Sequence, residues 1–130
     1  SRVMAEYANY RKRTEKEKEE LHVLANEALL AQMLPLLDHF DRAFCSYEGE
    51  SENSFYQGIT MIQKELLKIL NASGLKEIEA LDKTFDPNIH LAVMHEEMEN
   101  IEPDLVTEVF QKGYQLKEKV LRASMVKVSK

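Results

Sequence analysis

From Val3 onward, positions recur at alternating steps of four and three: Val3, Tyr7, Tyr10, Thr14, Glu17, Leu21, Leu24, Ala28 and Ala31. A repeat of 3.5 residues is the period of a coiled-coil seam rather than of a helix lying flat on a globule. Thr14 and Glu17 interrupt the seam with polar groups, and from Arg11 to Glu20 only Thr14 lacks a formal charge. The pairs Arg11–Glu15, Arg13–Glu17 and Lys16–Glu20 stand four apart, and each supports a helix by a few tenths of a kcal/mol. The pattern predicts one helix from residue 1 to about 45, thinnest in its middle. Such a helix is roughly 67 Å long, whereas a compact globule of this chain's length is roughly 36 Å across. It must project, and a projecting helix with a narrow apolar seam is marginal in water without a partner helix. A parallel homodimer is the expected solution.

Beyond Leu29 the apolar stripe widens through Leu30, Met33, Leu34, Leu36, Leu37, Phe40 and Phe44, which suits a bundle of more than two helices. Pro35 is expected to kink this helix without ending it, since the three–four spacing continues across it. The polar, acidic stretch 46–54 with Gly49 reads as a loop. A second helix follows, with Phe55, Ile59, Ile62, Leu66 and Ile69 on one face and Gly74 as its left-handed cap. Two such helix pairs from two chains would make a four-helix bundle. Dimerisation is assigned to Val3, Tyr7, Tyr10, Leu21, Leu24, Ala28, Leu34, Leu37, Phe44, Ile59, Ile62 and Leu66. After Gly74 the period changes to two. Val106, Glu108 and Phe110 alternate with Leu105, Thr107 and Val109, and a second alternation runs from Val120 to Val128. Asp86-Pro87-Asn88, Glu102-Pro103-Asp104 and Lys112-Gly113 supply turns. The fold class is α+β: residues 1–74 form the stalk and bundle, and 75–130 a small all-β domain.

Charge and composition narrow the function. The chain has 130 residues and a net charge of −6. No stretch approaches the roughly 18 consecutive apolar residues of a membrane span. A single cysteine, Cys45, rules out an intrachain disulfide framework and fits a reducing compartment. From Lys112 to Lys130 six basic residues face Glu118 alone, whereas 75–108 carries two lysines against ten acids. Tyr7 and Tyr10 beside Arg11, Lys12 and Arg13 superficially suit nucleic acid, but the acids from Glu15 to Glu20 would repel a phosphate backbone. The odd spacing of His90 and His95 places the two imidazoles on opposite faces of a strand, which argues against a shared metal. Asp38 and Asp41 read as the polar face opposite the leucines. Cys45 has no neighbouring base. With no phosphate-binding loop, dinucleotide fingerprint or serine triad, no catalytic residue, metal or cofactor is assigned.

Three blocks together carry a family resemblance. The first is Ala5-Glu6-Tyr7-Ala8-Asn9-Tyr10-Arg11-Lys12-Arg13-Thr14, and the second is Leu34-Pro35 with Asp38 and Asp41-Arg42-Ala43. The third is Phe85-Asp86-Pro87, His90 and Ala92-Val93-Met94, continued by Gln111-Lys112-Gly113-Tyr114, Leu121-Arg122 and Met125-Val126-Lys127-Val128. In this order the chain resembles the GrpE family, nucleotide exchange factors of DnaK-type heat-shock chaperones, over nearly its whole length.

The resemblance implies a non-enzymatic dimer whose β-domain contacts the chaperone's ATPase domain, holds its nucleotide cleft open and speeds ADP release. It implies chaperone contacts at Arg11, Arg13, Lys119, Arg122 and Val128, and a sensitive bundle glycine at Gly58. Phe85, Asp86, Pro87, His90, Gly113 and Tyr114 match the family's β-domain motif. The implied setting is the bacterial cytoplasm, with the mitochondrial matrix as the alternative, and no nucleotide, nucleic acid or membrane is bound by the chain itself. Two positions depart from the family pattern. Ala123-Ser124 stands where Pro-Ala is frequent, and Lys119 where Arg is frequent, and a lysine lacks the planar two-point fork of arginine. Because Val3 is already in the helical repeat, the family's acidic N-terminal segment is expected to lie outside this sequence. The alternative function is a coiled-coil adaptor whose β-domain binds another protein.

Overall fold

The computed structural model describes residues 1–130. Helix α1 runs unbroken from Arg2 to Ser46, 45 residues with Pro35 inside. Proline costs the helix one main-chain bond, the one that Ala31 C=O would accept, and the turns on either side carry it through. The chain divides into two compact units, 1–33 and 34–130.

The first unit is the helical segment alone. Its surface pairs are local: Arg2–Glu6 at 3.4 Å and Arg11–Glu15 at 3.5 Å. Arg13 lies over the Tyr10 ring, 5.6 Å from its centroid. Thr14 Oγ1 donates back to Tyr10 C=O at 2.9 Å, which satisfies the polar group inside the seam without a tertiary partner. Val3, Tyr7, Tyr10, Leu21 and Leu24 are all exposed, Leu21 to 65%. These apolar positions are uncovered in the single chain.

In the second unit α1 meets α2 (Ser54–Ala72) across the loop that the polar stretch predicts. Asn53 caps α2, its side-chain oxygen accepting from Phe55 N–H (2.9 Å) and Tyr56 N–H (3.2 Å). Tyr47 stacks on Tyr56 with centroids 4.3 Å apart, and Phe44 meets the same ring edge-on at 5.5 Å. Gly74 ends α2 with φ +99°, a left-handed conformation that a side chain would strain, and its N–H returns to Asn71 C=O at 3.0 Å. Leu34 and Leu37 are buried in the chain's own fold at 4% and 3% exposure. These two side chains are enclosed by the chain's own fold, whereas Leu36, on the same widened stripe, is exposed. Ile62 remains exposed, and Leu36, Phe40, Phe44, Tyr56 and Ile59 line an open apolar groove between the two helices.

Six strands follow: β1 (Leu75–Glu77), β2 (His90–Glu96), β3 (Val106–Gln111), β4 (Tyr114–Leu116), β5 (Lys119–Arg122) and β6 (Ser124–Ser129). They form two three-stranded sheets, β1-β4-β5 and β2-β6-β3, with β2 parallel to β6 and the other pairs antiparallel. The core joins Ala80, Val106, Val126 and Val128 with Phe85, Ala92 and Val109.

The sheets depart from strict alternation in two places. The sequence pattern reads Val120–Val128 as one strand, but the chain breaks at Ala123, so that β5 belongs to one sheet and β6 to the other. At that corner Ser124 N–H turns to Ile89 C=O (3.0 Å), and its hydroxyl accepts from Gly113 N–H (3.0 Å). Lys112-Gly113 is therefore the crossing between sheets, not a hairpin turn. In β3, register shifts on both sides of Glu108–Val109 rephase the strand. Val106 and Val109 both face the core, opposite Val128 and Val126, while Glu108 faces outward opposite Lys127.

Candidate functional site

The predicted contact residues fall into two environments. Arg11 and Arg13 lie exposed on the first unit, engaged only with Glu15 and Tyr10 as described. Lys119 is exposed at the start of β5. Arg122 and Val128 behave otherwise. Val128 is 1% exposed and packs in the β-core, so its side chain offers no surface to a partner. In the single chain Val128 is a core residue of the β-module.

Arg122 is held by its own chain. Nη1 donates to Asp38 Oδ2 (2.6 Å) and Nη2 to Asp38 Oδ1 (2.8 Å), a two-point fork spanning 84 residues of sequence. Nε donates to Lys112 C=O at 3.1 Å, and Nη2 shares that carbonyl. The guanidinium also lies 5.6 Å from the Tyr114 ring centroid. Gln111 Nε2 donates to Asp38 Oδ2, and Lys112 Nζ to Asp41 Oδ1, both at 3.3 Å. The i,i+3 aspartates are thus not a solvated face but the anchor of the β-strands on α1. The Tyr114 hydroxyl, buried beneath, is pushed well above the usual phenol range, first by burial and then by Asp41 and Glu77.

The motif Phe85-Asp86-Pro87 to His90 folds into a tight turn. Asn88 N–H donates to Asp86 Oδ1 (2.9 Å), and His90 N–H to Asp86 C=O (2.8 Å). His90 is buried beside Phe85, ring centroids 5.9 Å apart, and its Nδ1 accepts from Asp86 N–H at 3.0 Å. The proton therefore sits on Nε2, which is buried without a hydrogen-bond partner. Burial lowers its pKa, and the Asp86 carboxylate opposes that shift. A register shift between Ala92 and Met94 leaves His90 opposite Ser124 and His95 opposite Val128, positions of like parity on β6. The two histidines are thus brought to one side of β2 rather than to opposite faces. No group of three or more His, Cys, Asp or Glu side chains is placed to hold a metal ion.

Gly58, singled out within α2, has nothing within 4 Å of the place a Cβ would take. Gly113 is the reverse case, with main-chain atoms of Arg122 and Ser124 against it.

Sequence reasoning missed one surface. The outer side of sheet β2-β6-β3 presents the exposed Leu91 and Met94 and the half-buried Met125, with Leu91 opposite Met125 in register. Beside them Lys127 Nζ bridges Glu96 (2.9 Å) and Glu108 (3.2 Å), and these hydrogen bonds raise the lysine's pKa. The signal was present in the β6 alternation, but which of the alternating sets faced outward depended on the second sheet.

No helix is long and apolar enough to cross a membrane. The GrpE family profile matches residues 1–130. The chain is 48% identical over 128 residues to Protein GrpE of Clostridioides difficile strain 630, covering 98% of this chain and 62% of that protein. It is 47% identical over 130 residues to Protein GrpE of Alkaliphilus oremlandii, covering 99% and 69%. With Protein GrpE of Geobacillus stearothermophilus it shares 43% identity over 129 residues, covering 98% and 58%. It spans less than two thirds of the Clostridioides and Geobacillus relatives. A family profile matched from the first residue to the last, and relatives of 43–48% identity along nearly the whole chain, show that the chain belongs to the GrpE family.

Proposed function

We propose that this chain is the working part of a nucleotide exchange factor for a DnaK-type chaperone, acting as a parallel dimer in the bacterial cytoplasm. The observation that carries the reading is the pairing of an uncovered 3.5-residue seam with a β-module that has an exposed, partly apolar outer face. Two copies of α1 cover the seam as a coiled coil. The apolar groove between α1 and α2 seats the second copy and completes a four-helix bundle, with Phe44, Ile59, Ile62 and Leu66 at or near the contact. The β-module, with Lys119 and the Leu91–Met94–Met125 face, binds the chaperone's ATPase domain, and Arg11 and Arg13 give the stalk a second contact. No bond is made or broken. The factor binds the open nucleotide cleft more tightly than the closed one, because equal affinity for both would shift nothing. It needs no cofactor and binds neither nucleotide nor nucleic acid.

The test is release of a fluorescent ADP analogue from the ATPase domain of a DnaK-type chaperone, followed with increasing amounts of this protein. A saturating rise in release rate is expected. No acceleration at saturation would refute the reading and favour a coiled-coil adaptor whose β-module has another partner.

A further inference from the structure

The anchor between α1 and the β-strands has more structure than folding of the β-module requires. Arg122 already lies over Tyr114 and holds the Lys112 carbonyl, contacts that lie wholly among the strands and their connections. Its fork onto Asp38 adds a third point, on a different element. Lys112, tied to Arg122 through that carbonyl, grips Asp41 one turn further along the helix, and Gln111 adds a second donor to Asp38. A single ion pair would leave the strands free to pivot about it. Two carboxylates on one helix face, one of them held by a planar fork, fix both position and angle. The Arg122 and Asp38 side chains are only 21% and 17% exposed, so salt screens the pair less than it would a surface bridge.

We propose that Asp38, Arg122 and Lys112 form a strut that sets the angle of the β-module on α1, and that Arg122 is a positioning residue rather than a partner contact. The inference rests on the exchange-factor reading for its consequence. A β-module held at one angle discriminates between open and closed forms of the partner's cleft. One free to pivot follows both forms, and its differential affinity falls while its overall affinity changes little.

The test compares Asp38→Asn and Arg122→Lys with the unaltered chain. Asn keeps the shape of Asp without its charge, and Lys keeps the charge of Arg without the fork. Each is expected to lower the maximal rate of fluorescent ADP release about fivefold or more, and the double variant no further than either single one, as for two residues of one interaction. The half-saturating concentration should stay within about twofold, since neither group touches the partner. An unaffected maximal rate in Asp38→Asn, together with a raised half-saturating concentration in Arg122→Lys, would overturn the proposal and make Arg122 a direct contact. A second measurement does not depend on exchange. Spin labels on the exposed native Cys45 and on Glu118→Cys, in chains diluted with unlabelled protein, report the distance between α1 and the β4–β5 turn. Asp38→Asn should broaden that distribution, and an unchanged distribution would overturn the strut. If the unaltered protein fails to speed release, the exchange reading falls while the distance measurement still decides the strut.

Discussion

Replacing Gly113 with alanine puts one methyl group where three atoms already stand. The new Cβ would lie 2.4 Å from Ser124 N, 2.6 Å from Ser124 Oγ and 2.7 Å from Arg122 O. Two of those atoms are main chain and cannot rotate aside, so the crossing between the two sheets must open by about 1 Å to reach ordinary contact. The corner that would open carries Gly113 N–H to Ser124 Oγ (3.0 Å), Ile78 N–H to Gly113 C=O (2.9 Å) and Ser124 N–H to Ile89 C=O (3.0 Å). Overpacking costs about 1–3 kcal/mol, and two weakened hydrogen bonds add about 1 kcal/mol each. The expected loss is about 3–5 kcal/mol, a large share of the roughly 5–15 kcal/mol that holds a domain together. For a unit of 97 residues (34–130), that lowers the melting temperature by roughly 12 °C or more. Urea titration and circular-dichroism melting at one fixed chain concentration would measure it, since any self-association would make both depend on concentration. Adding Ser124→Gly removes the hydroxyl but leaves both main-chain obstacles, so the double variant should stay destabilised. A Gly113→Ala melting temperature within about 2 °C of the unaltered chain would refute the reasoning, and full rescue by Ser124→Gly would show that only the hydroxyl matters.

Other substitutions test other parts of the fold. Gly58→Ala should raise stability by up to about 1 kcal/mol, because the site is mid-helix with open space around it; a lower melting temperature would refute that reading. Asn53→Ala removes the acceptor for two N–H groups at the start of α2 and should cost about 1 kcal/mol in urea titration. His90 has a folded pKa below the unfolded value of 6.5, so between those two values the unfolded chain binds more protons. Its contribution is therefore complete above pH 6.5 and is lost as pH falls toward the folded pKa. His90→Asn, which can keep an acceptor for Asp86 N–H, should flatten stability against pH in that window, and an unaltered slope would assign the acid sensitivity elsewhere.

Much of the helical half was legible because its signals are local. The 3.5-residue seam, the i,i+4 pairs and the Gly74 cap each involve residues within a few turns, so spacing alone predicts α1 and α2 nearly to their ends. Alternation predicted strands at 106–110 and 120–128, but it assumes an unbroken register. The shifts in β2 and β3 and the break at Ala123 are set by the partner strand, and they decided that Val109, not Glu108, faces the core with Val106.

By itself, the sequence determined that a long charged helix with an unsatisfied seam precedes a cap glycine and a small β-module, because period and capping act over single turns. Only the tertiary structure decided that Val128 and His90 are interior, that Leu34 and Leu37 are already covered, and that Asp38 receives Arg122 from 84 residues away. Burial and long-range ion pairing depend on which surfaces the chain folds together, and no local spacing encodes that.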